Sequence, residues 1–359
     1  MKKIGLVTFC KANNYGAVLQ AYALQTYLNK LDCETEFLDI HFNKVDSTNS
    51  KDSNNVKMSI KEKVINKLKS KYSEIKFEIY RKKYLTINDN IIYGDDKENV
   101  YPTYDYYIVG SDQVWNTDIT HKTKAYFLDF TNADKISFAA SYGKNDLNNI
   151  EKIWSKEELV KFKAVSVREY SAYKFLQNEN INSKWVCDPV FLIDRNEWEK
   201  NLKLKLRTTI KKKYILVYYM EPSLKLLQII KYFREKLKID VKCVCGGINK
   251  LDCKYKHINK GGPIEFLNNL ENAELVITNS FHALAFSIIF EKKAIVIGHS
   301  KWNARLDSLL KVTNNDNKCI SEDYNDNYDK MIINGKEAYE KMCIHIEESK
   351  KFLKDAIDK

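Results

Sequence analysis

The chain has 359 residues, of which 44% are hydrophobic and 30% charged, and its formal net charge is +11. Such a composition is typical of a soluble globular protein, and the length allows two domains of ordinary size. No apolar run is long enough to cross a bilayer, and the eight cysteines are too few for a dense disulfide framework. The apolar stretch after Met1-Lys2-Lys3 is too short for a signal peptide, so we expect a cytoplasmic protein.

The first segment with a clear pattern predicts a βαβ unit. Apolar strand, amphipathic helix and apolar strand follow one another at residues 3–9, 17–31 and 34–40. The turn before the helix contains one glycine, Gly16, so it is not the G-x-G-x-x-G fingerprint of a dinucleotide site. It still brings Asn13, Asn14 and Tyr15 to the carboxyl end of a strand, where a ligand could bind.

Part of the positive charge is concentrated between Val56 and Tyr84, where lysine and arginine far outnumber glutamate. Apolar residues recur there at helical spacing, which predicts a basic amphipathic helix followed by another. This face is either simply solvated or a surface for an anionic membrane or an anionic glycan carrier. Nucleic acid is a third class of partner, but the sequence contains no recognisable nucleic-acid-binding motif, so we expect none.

A polar loop follows the strand predicted at residues 106–110. Its hydrogen-bonding side chains and its indole ring are what a sugar-binding wall uses: Ser111, Asp112, Gln113 and Trp115. The same pattern fits a turn with an Asx cap beside a core tryptophan, and the sequence leaves both interpretations open.

Arg168 directly follows another predicted strand, residues 164–167. Its guanidinium could clamp a carboxylate or a phosphate with two hydrogen bonds. The alternative is a structural salt bridge to Glu169 or to another neighbour.

The stretch Leu275–Phe290 predicts a buried strand, a polar turn and an apolar helix, and a further apolar strand follows it. Ligands of parallel sheets bind outside the carboxyl ends of the strands, so Asn279, Ser280 and His282 lie where a ligand would be. The helix N-terminus there suits a phosphate or a carboxylate, although an ordinary cap beside a packed histidine fits equally. The next strand-end loop adds three groups that could hold an anion or merely solvate the surface: Lys301, Asn303 and Arg305.

These elements form two successive α/β series, joined by a basic segment at residues 194–213 that we interpret as a helical linker. The pattern predicts two Rossmann-like domains and a terminal helix that packs back on the first domain. The predicted limits are residues 1–195, with the basic helical insertion at about 56–84, residues 196–334, and the helix at 335–359.

A metal site is not expected. Cys243, Cys245, Cys253 and His257 cluster in the sequence, but the C-x-C spacing differs from the C-x2-C typical of structural zinc sites. No matching ligand pair follows them, so we interpret them as ordinary reduced cysteines and a histidine.

Several pieces together resemble the polysaccharide pyruvyl transferase family. They occur in the family's order and cover the chain from residue 3 to about 312, outside the basic helices and the last helix. The pieces are Thr8-Phe-Cys-Lys-Ala-Asn-Asn-Tyr-Gly-Ala-Val-Leu-Gln-Ala-Tyr-Ala-Leu-Gln25, Val109-Gly-Ser-Asp-Gln-Val-Trp-Asn116, Val165-Ser-Val-Arg-Glu169, Cys187-Asp-Pro189, Gly262-Pro-Ile-Glu-Phe-Leu267, Val276-Ile-Thr-Asn-Ser-Phe-His282 and Asn303-Ala-Arg305.

The resemblance implies a two-domain fold similar to glycosyltransferase-B, with a cleft between two Rossmann-like domains. It implies transfer of the pyruvyl group of phosphoenolpyruvate to a saccharide or lipid-linked glycan, usually as a ketal, without cofactor or metal. His282 and Arg168 would be central, and Asp112 is our candidate base. By the same resemblance, donor binding falls to Asn279, Ser280, Lys301, Asn303 and Arg305, and acceptor binding to Asn13, Asn14, Tyr15, Ser111, Gln113 and Trp115.

The chain departs from many family members at two places. Ser280-Phe281-His282 stands where many have Arg-Leu-His, so Lys301 or Arg305 would have to supply a missing cation. Gly16-Ala17 replaces Gly-Asp in the first turn, so no carboxylate role carries over there. Two other functions fit the same pattern: a glycosyltransferase with a nucleotide-sugar donor, and a non-catalytic glycan-binding protein.

Overall fold

The architecture is that of a computed structural model, which describes residues 1–41, 60–94, 101–205, 212–247, 251, 255–258, 261–299 and 303–358. In the helix that starts at residue 60, side chains are described from residue 71 onward. Residues 56–59 of the predicted basic segment, Cys253 and Lys301 therefore lie outside the described residues.

The first half of the chain builds a parallel sheet. Its strands are β1 (Lys2–Val7), β2 (Cys33–His41), β3 (Ile87–Tyr93), β4 (Tyr106–Val109) and β5 (Asp134–Ser137). In space they follow the order β3-β2-β1-β4-β5, and the central strands are apolar because helices cover both faces. The predicted βαβ unit is confirmed, since helix α1 (Tyr15–Lys30) connects the parallel pair β1 and β2.

A short parallel pair, β6 (Ser166–Val167) and β7 (Lys184–Trp185), continues beyond β5. The sequence predicts a strand over residues 184–193 that is interrupted by Asp188-Pro189, whereas the structure has only β7, which ends at Trp185. The chain there turns through Asp188 into a single 3-10 turn, Pro189–Phe191. The Asp188 carboxylate caps this turn, and proline lacks the N–H that a strand would need.

The second half builds another sheet, with β8 (Tyr214–Tyr219), β9 (Asp240–Cys245), β10 (Lys256–His257), β11 (Leu275–Thr278), β12 (Lys293–Ile297), β13 (Cys319–Ile320) and β14 (Ile333–Asn334). The order is β10-β9-β8-β11-β12-β13, with all of these pairs parallel, and β14 pairs antiparallel with β12. The strand over residues 275–278 is confirmed at both ends.

The remaining helices are α2 (Ile60–Tyr84), α3 (Asn149–Glu158), α4 (Tyr170–Asn178), α5 (Arg195–Leu202), α6 (Leu224–Leu237), α7 (Pro263–Glu271), α8 (Phe281–Ile289), α9 (Ala304–Val312) and α10 (Gly335–Asp358). Two predictions need correction. The basic segment forms the single helix α2 from residue 60, and the helix of the predicted linker, α5, ends at Leu202. Lys203 adopts a left-handed conformation there, which ends the helix.

Helix α8 is buried along its whole length, and α10 packs against it. Helix α10 also contacts the first half of the chain. The Ser349 hydroxyl accepts a hydrogen bond from the backbone N–H of Cys187 at 2.9 Å, and the rings of Phe352 and Phe138 lie 6.4 Å apart. Helix α10 thus contacts both halves of the chain, so these contacts do not assign it to one domain. The domain limits at residues 195 and 334 stay a prediction.

Replacing Leu353 by alanine should lower the free energy of unfolding by about 2–5 kcal/mol, because this side chain of α10 is fully buried in the hydrophobic core. The matched control is Ile344→Ala on the same helix, where the side chain is 75% exposed and the change should stay within about 0.5 kcal/mol. Urea unfolding measures both. Equal losses in the two variants would contradict the placement of α10.

Candidate active site

A cavity of about 230 Å³ lies at the carboxyl edges of the two sheets, where they face each other. The first turn and the loop after β4 form one wall, and the N-terminus of α8 and the loop before α9 form the other. Residues that line it include Asn14, Tyr15, Gly16, Asp112, Gln113, Phe266, Asn279, Ser280, Phe281, His282, His299 and Arg305. The structure therefore brings together most of the residues that sequence analysis selected.

The carboxylate of Asp188 is the centre of a buried polar cluster beside this cavity. Its Oδ2 lies 2.6 Å from Nη1 of Arg168 and accepts a hydrogen bond from the Ser111 hydroxyl at 3.0 Å. The same oxygen lies 3.7 Å from Nε2 of His282. One atom thus connects three strand-end loops of the first half with α8 of the second half.

The charge state of Asp188 follows from these neighbours. Burial alone would raise the pKa of the carboxyl, but contact with His282 and the charge of Arg168 outweigh burial and hold the pKa well below its usual range. Asp188 is therefore ionised at any pH at which the protein works.

Arg168 is 3% exposed and surrounded by carboxylates. Besides Asp188, it faces Asp112 at 3.7 Å and Glu169 at 3.6 Å, and its guanidinium lies 4.6 Å above the ring of Phe281. Although burial lowers the pKa of Arg168, these carboxylates raise it above its ordinary value. Phe281 lines the cavity and its ring covers the guanidinium, whereas Arg168 itself is not among the lining residues, so its contact with a substrate stays a prediction.

His282 is held between two groups. Its Nε2 faces Asp188, and its Nδ1 faces Gly16 so closely that a Cβ added to Gly16 would lie 2.0 Å from Nδ1. The backbone of the first turn therefore reaches the imidazole only because residue 16 has no side chain. This contact fixes the orientation of the ring from the side opposite to Asp188.

Helix α8 begins at the cavity wall, and the Ser280 side chain makes no capping hydrogen bond to it. The first-turn N–H groups and the positive end of the helix dipole are thus left for another partner. Asn279 is occupied by backbone groups: it accepts from Met220 N–H at 2.7 Å and donates to the carbonyl of Glu221 at 2.8 Å. Asn279 was predicted to contact the donor substrate. In the structure its amide holds the backbone of Met220 and Glu221 at the cavity wall.

Arg305 supplies an unpaired positive charge. It lines the cavity half-buried, and among the described residues it makes neither a hydrogen bond nor an ion pair. Burial and the charge of Arg168 lower the pKa of Arg305 to about 10, so the group stays protonated at neutral pH. Beside the open N-terminus of α8, this cation marks the part of the cavity that suits an anion.

Asp112 and Gln113 also line the cavity. Asp112 adopts a left-handed φ of 70°, and its Oδ1 accepts a hydrogen bond from the Gln113 N–H at 2.9 Å. The Gln113 amide oxygen accepts from Asn116 at 3.1 Å. Of these two side chains, Asp112 brings the only negative charge.

The first turn has two different sides. Asn14 caps α1 by accepting from Ala17 N–H at 3.3 Å and lines the cavity, whereas Asn13 accepts from Arg81 of α2 at 3.0 Å. Tyr15 is stacked between two rings, with centroids 5.3 Å from Phe77 and 4.5 Å from Phe266. Both faces of its ring are therefore covered.

Three further predictions change with the structure. Trp115 is fully buried, stacks on Phe127 and donates to the carbonyl of Tyr126, so it is the core tryptophan of the alternative interpretation. Ser111 is fully buried in the Asp188 cluster and does not face a ligand. Asn303 uses its amide on both backbone groups of His299, at 2.6 and 2.8 Å, and so closes the loop.

Sequence analysis did not select Asp188, Glu169 or Gln20 as site residues. Gln20 is fully buried and accepts a hydrogen bond from Ser111 N–H at 3.1 Å. Glu169 accepts from the Ser141 hydroxyl, and burial raises its pKa despite the nearby Arg168. The sequence feature that could have revealed Asp188 is the Asp188-Pro189 pair. It predicted the interruption of a strand, but not that the carboxylate pairs with Arg168.

The family model described as polysaccharide pyruvyl transferase matches residues 14–301. The chain belongs to this family. The matched range includes Asn14–Gly16 of the first turn, the Asp188 cluster and the N-terminus of α8. No curated protein matches the sequence significantly.

Solved structures of the same architecture include UDP-GlcNAc 2-epimerase from Neisseria meningitidis, with a TM-score of 0.51 at 9% identity. That alignment covers 98% of this chain and 94% of the epimerase. The Anabaena protein Alr3699/HepE, solved with UDP, gives a TM-score of 0.50 at 6% identity over 100% of both chains. At these identities the likeness shows the fold alone. The chain has two Rossmann-like domains that face a cleft, as in glycosyltransferase-B, and the predicted fold class is confirmed.

Within the described residues, no group of three or more His, Cys, Asp or Glu side chains could hold a metal ion. The helices of that part of the chain are all too short or too polar to cross a membrane.

Replacing Asp188 by asparagine should lower the free energy of unfolding by about 3 kcal/mol at neutral pH, because the buried guanidinium of Arg168 loses its counter-charge. The folded-state pKa of Asp188 is depressed, so its stabilisation is present above the unfolded pKa of about 4 and is lost as pH falls through the folded value. The difference in free energy of unfolding between the wild type and Asp188→Asn should therefore become smaller in acid. Urea unfolding at pH 7 and pH 3.5 measures it, with Asp326→Asn at the exposed surface as the control. If this difference became larger in acid, Asp188 could not be the ionised carboxylate of the cluster.

Replacing Gly16 by alanine should displace the His282 ring, because the new methyl group would lie 2.0 Å from Nδ1. We expect at least a hundredfold loss of turnover with a melting temperature that changes little, since alanine favours the helix that forms there. Gly298→Ala is the matched control, because its added Cβ would meet atoms no closer than 3.6 Å. Full activity in Gly16→Ala would exclude the clamp on His282.

Proposed function

We propose that the protein transfers the pyruvyl group of phosphoenolpyruvate to a sugar of a polysaccharide or glycan precursor, forming a pyruvate ketal and releasing phosphate. The observation that carries this proposal is Arg305, which has no hydrogen bond or ion pair among the described residues and lines the same cavity as His282 and the N-terminus of α8. Family membership supports pyruvyl transfer to a polysaccharide in general. The donor and the ketal are the finer part of the proposal.

The size of the cavity supports a small donor. Pockets for drug-sized ligands measure roughly 300–1,000 Å³. The cavity of about 230 Å³ is smaller and fits phosphoenolpyruvate better than a nucleotide sugar. Phosphoenolpyruvate carries a phosphate and a carboxylate, and Arg305 and the α8 N-terminus offer one partner for each.

The reaction requires two proton transfers and one leaving group. A proton adds to the methylene carbon of the donor, which becomes a methyl group, and a sugar hydroxyl attacks the adjacent carbon. The bond from that carbon to the phosphate oxygen then breaks, and a second hydroxyl closes the ketal. The two sugar hydroxyls lose one proton each. One proton is gained by the methylene carbon and the other leaves with the phosphate, so the reaction balances.

The described residues suggest roles for these steps. His282 is the candidate acid, because its side chain lines the cavity and an imidazole can pass on a proton near neutral pH. Asp112 is the candidate base for the sugar hydroxyl, since its carboxylate lines the opposite wall. Asn14 and Gln113 line the same wall and are the candidate acceptor contacts that remain after the corrections. Lys301, outside the described residues, stays a predicted donor contact.

A glycosyltransferase with a nucleotide-sugar donor is the second candidate. The observation in its favour is that solved structures with this fold bind UDP-GlcNAc or UDP. Isothermal titration in the presence of a chelator distinguishes the two donors. If a uridine diphosphate sugar bound more tightly than phosphoenolpyruvate, or if binding required a divalent metal, glycosyl transfer would replace pyruvyl transfer as the proposed function. Absence of phosphate release with every saccharide tested would favour the non-catalytic glycan-binding protein.

Replacing Arg305 by glutamine should weaken the binding of phosphoenolpyruvate about a hundredfold, because a charge-assisted contact of this kind contributes roughly 1.5–3 kcal/mol. Lys311→Gln removes a charge from the exposed part of the same helix α9 and should leave binding unchanged. Arg305→Lys should restore part of the affinity. Isothermal titration without metal or nucleotide measures all three, and unchanged binding in Arg305→Gln would exclude this residue as the anion partner.

An acceptor carried on a lipid would bring the enzyme to a membrane. A peripheral position at its cytoplasmic face is accordingly the location that we propose.

A further inference from the structure

One face of α2 is anchored in the protein. Phe77, Tyr80 and Arg81 are buried, and Arg81 donates hydrogen bonds to the carbonyl of Lys11 at 3.2 Å and to Asn13 at 3.0 Å. The Ser73 hydroxyl donates to the carbonyl of Gly261 at 2.8 Å. The orientation of the described part of α2 is therefore fixed by contacts with both halves of the chain.

The opposite face of α2 carries an exposed apolar stripe. Tyr72 is 45% exposed, Ile75 50% and Ile79 55%. Their spacing of three and four residues places them within about 60° of one another on the helix, roughly opposite to Phe77. Large apolar side chains in one stripe are unusual on a surface without a partner.

Lysines border this stripe on both sides. At about 100° per residue, Lys71 and Lys82 lie on one side of it, and Lys76 and Lys83 on the other. The side chain of Lys82 is 77% exposed. Over residues 71–84, these four lysines outnumber the two glutamates, Glu74 and Glu78, although Lys82 pairs with Glu78 and Lys76 with Glu265 of α7. The surface around the stripe is therefore positive, chiefly through Lys71 and Lys83.

We propose that this face of α2 docks on an anionic phospholipid bilayer. An apolar stripe between two rows of lysines is the pattern of a helix that lies in a membrane interface, with its apolar side chains among the acyl chains and its lysines at the headgroups. Charge complementarity decides between this partner and a second copy of the chain. Two copies would bring like-charged rows of lysine together, whereas an anionic surface neutralises them.

The docked helix would lie one side chain away from the active-site cavity. Phe77, on the inner face of α2, stacks on Tyr15, which lines the cavity. Docking would thus hold the cleft near the headgroup layer, where a lipid-linked acceptor presents its sugar. The docking itself does not depend on the reaction and is measured without donor or acceptor.

Co-sedimentation with vesicles tests the proposal. The protein should bind vesicles that contain phosphatidylglycerol and should not bind pure phosphatidylcholine. The double variants Ile75→Gln/Ile79→Gln and Lys82→Gln/Lys83→Gln should each weaken binding at least about tenfold. The matched controls lie on α10: Ile344→Gln removes a 75% exposed isoleucine, and Lys341→Gln/Lys354→Gln removes two exposed lysines. Both controls should bind as the wild type does.

Four outcomes would overturn docking on a membrane. They are no binding by the wild type, equal loss in the α10 lysine control, full binding by the isoleucine variant, and dimers in sedimentation velocity that the isoleucine variant abolishes. The last would assign the stripe to a second copy. Phosphate release with a short soluble acceptor should stay the same in every α2 variant, so failure of docking and failure of pyruvyl transfer are distinguished.

Discussion

The site depends on one buried carboxylate, Asp188, which lies between the guanidinium of Arg168 and the imidazole of His282. A buried charge is costly unless it is paired and hydrogen-bonded, and here one oxygen contacts the guanidinium of Arg168, the imidazole of His282 and a serine hydroxyl. The partners come from different strand ends and from the second half of the chain. Removing any of them would leave the others buried without compensation, so the cluster constrains how the two halves meet.

The distribution of charge around the cavity follows from this pairing. Arg168 lies within 3.7 Å of three carboxylates, whereas Arg305 makes no ion pair among the described residues. The same three carboxylates raise the pKa of Arg305, but burial and the charge of Arg168 outweigh them. The two arginines thus differ in how closely the acidic groups approach them.

Hydrophobic periodicity was enough to predict the central strands of both sheets and the helices α1 and α8, because buried parallel strands are continuous apolar runs and a polar turn precedes each of these helices. It failed at β3, whose sequence Ile87-Asn-Asp-Asn-Ile-Ile-Tyr93 has no such run, and at the strand after Trp185. The site was predicted where strand ends carry unusual polar residues. Trp115 and Asp188 were misassigned or missed because burial and ion pairing depend on contacts between segments far apart in sequence.

The stack of Tyr15 between Phe77 and Phe266 has a consequence for how ligands enter. Phe77 and Tyr15 belong to the first half of the chain, and Phe266 belongs to α7 of the second. Widening the cleft must separate two nearly parallel rings, with an interplanar angle of 9°, and expose their faces to water. Aromatic pairs contribute about 0.5–1.5 kcal/mol beyond their buried area, so partial opening would lose this energy without admitting a large acceptor. The stack therefore favours the arrangement in which the first turn and α7 are in contact across the cleft.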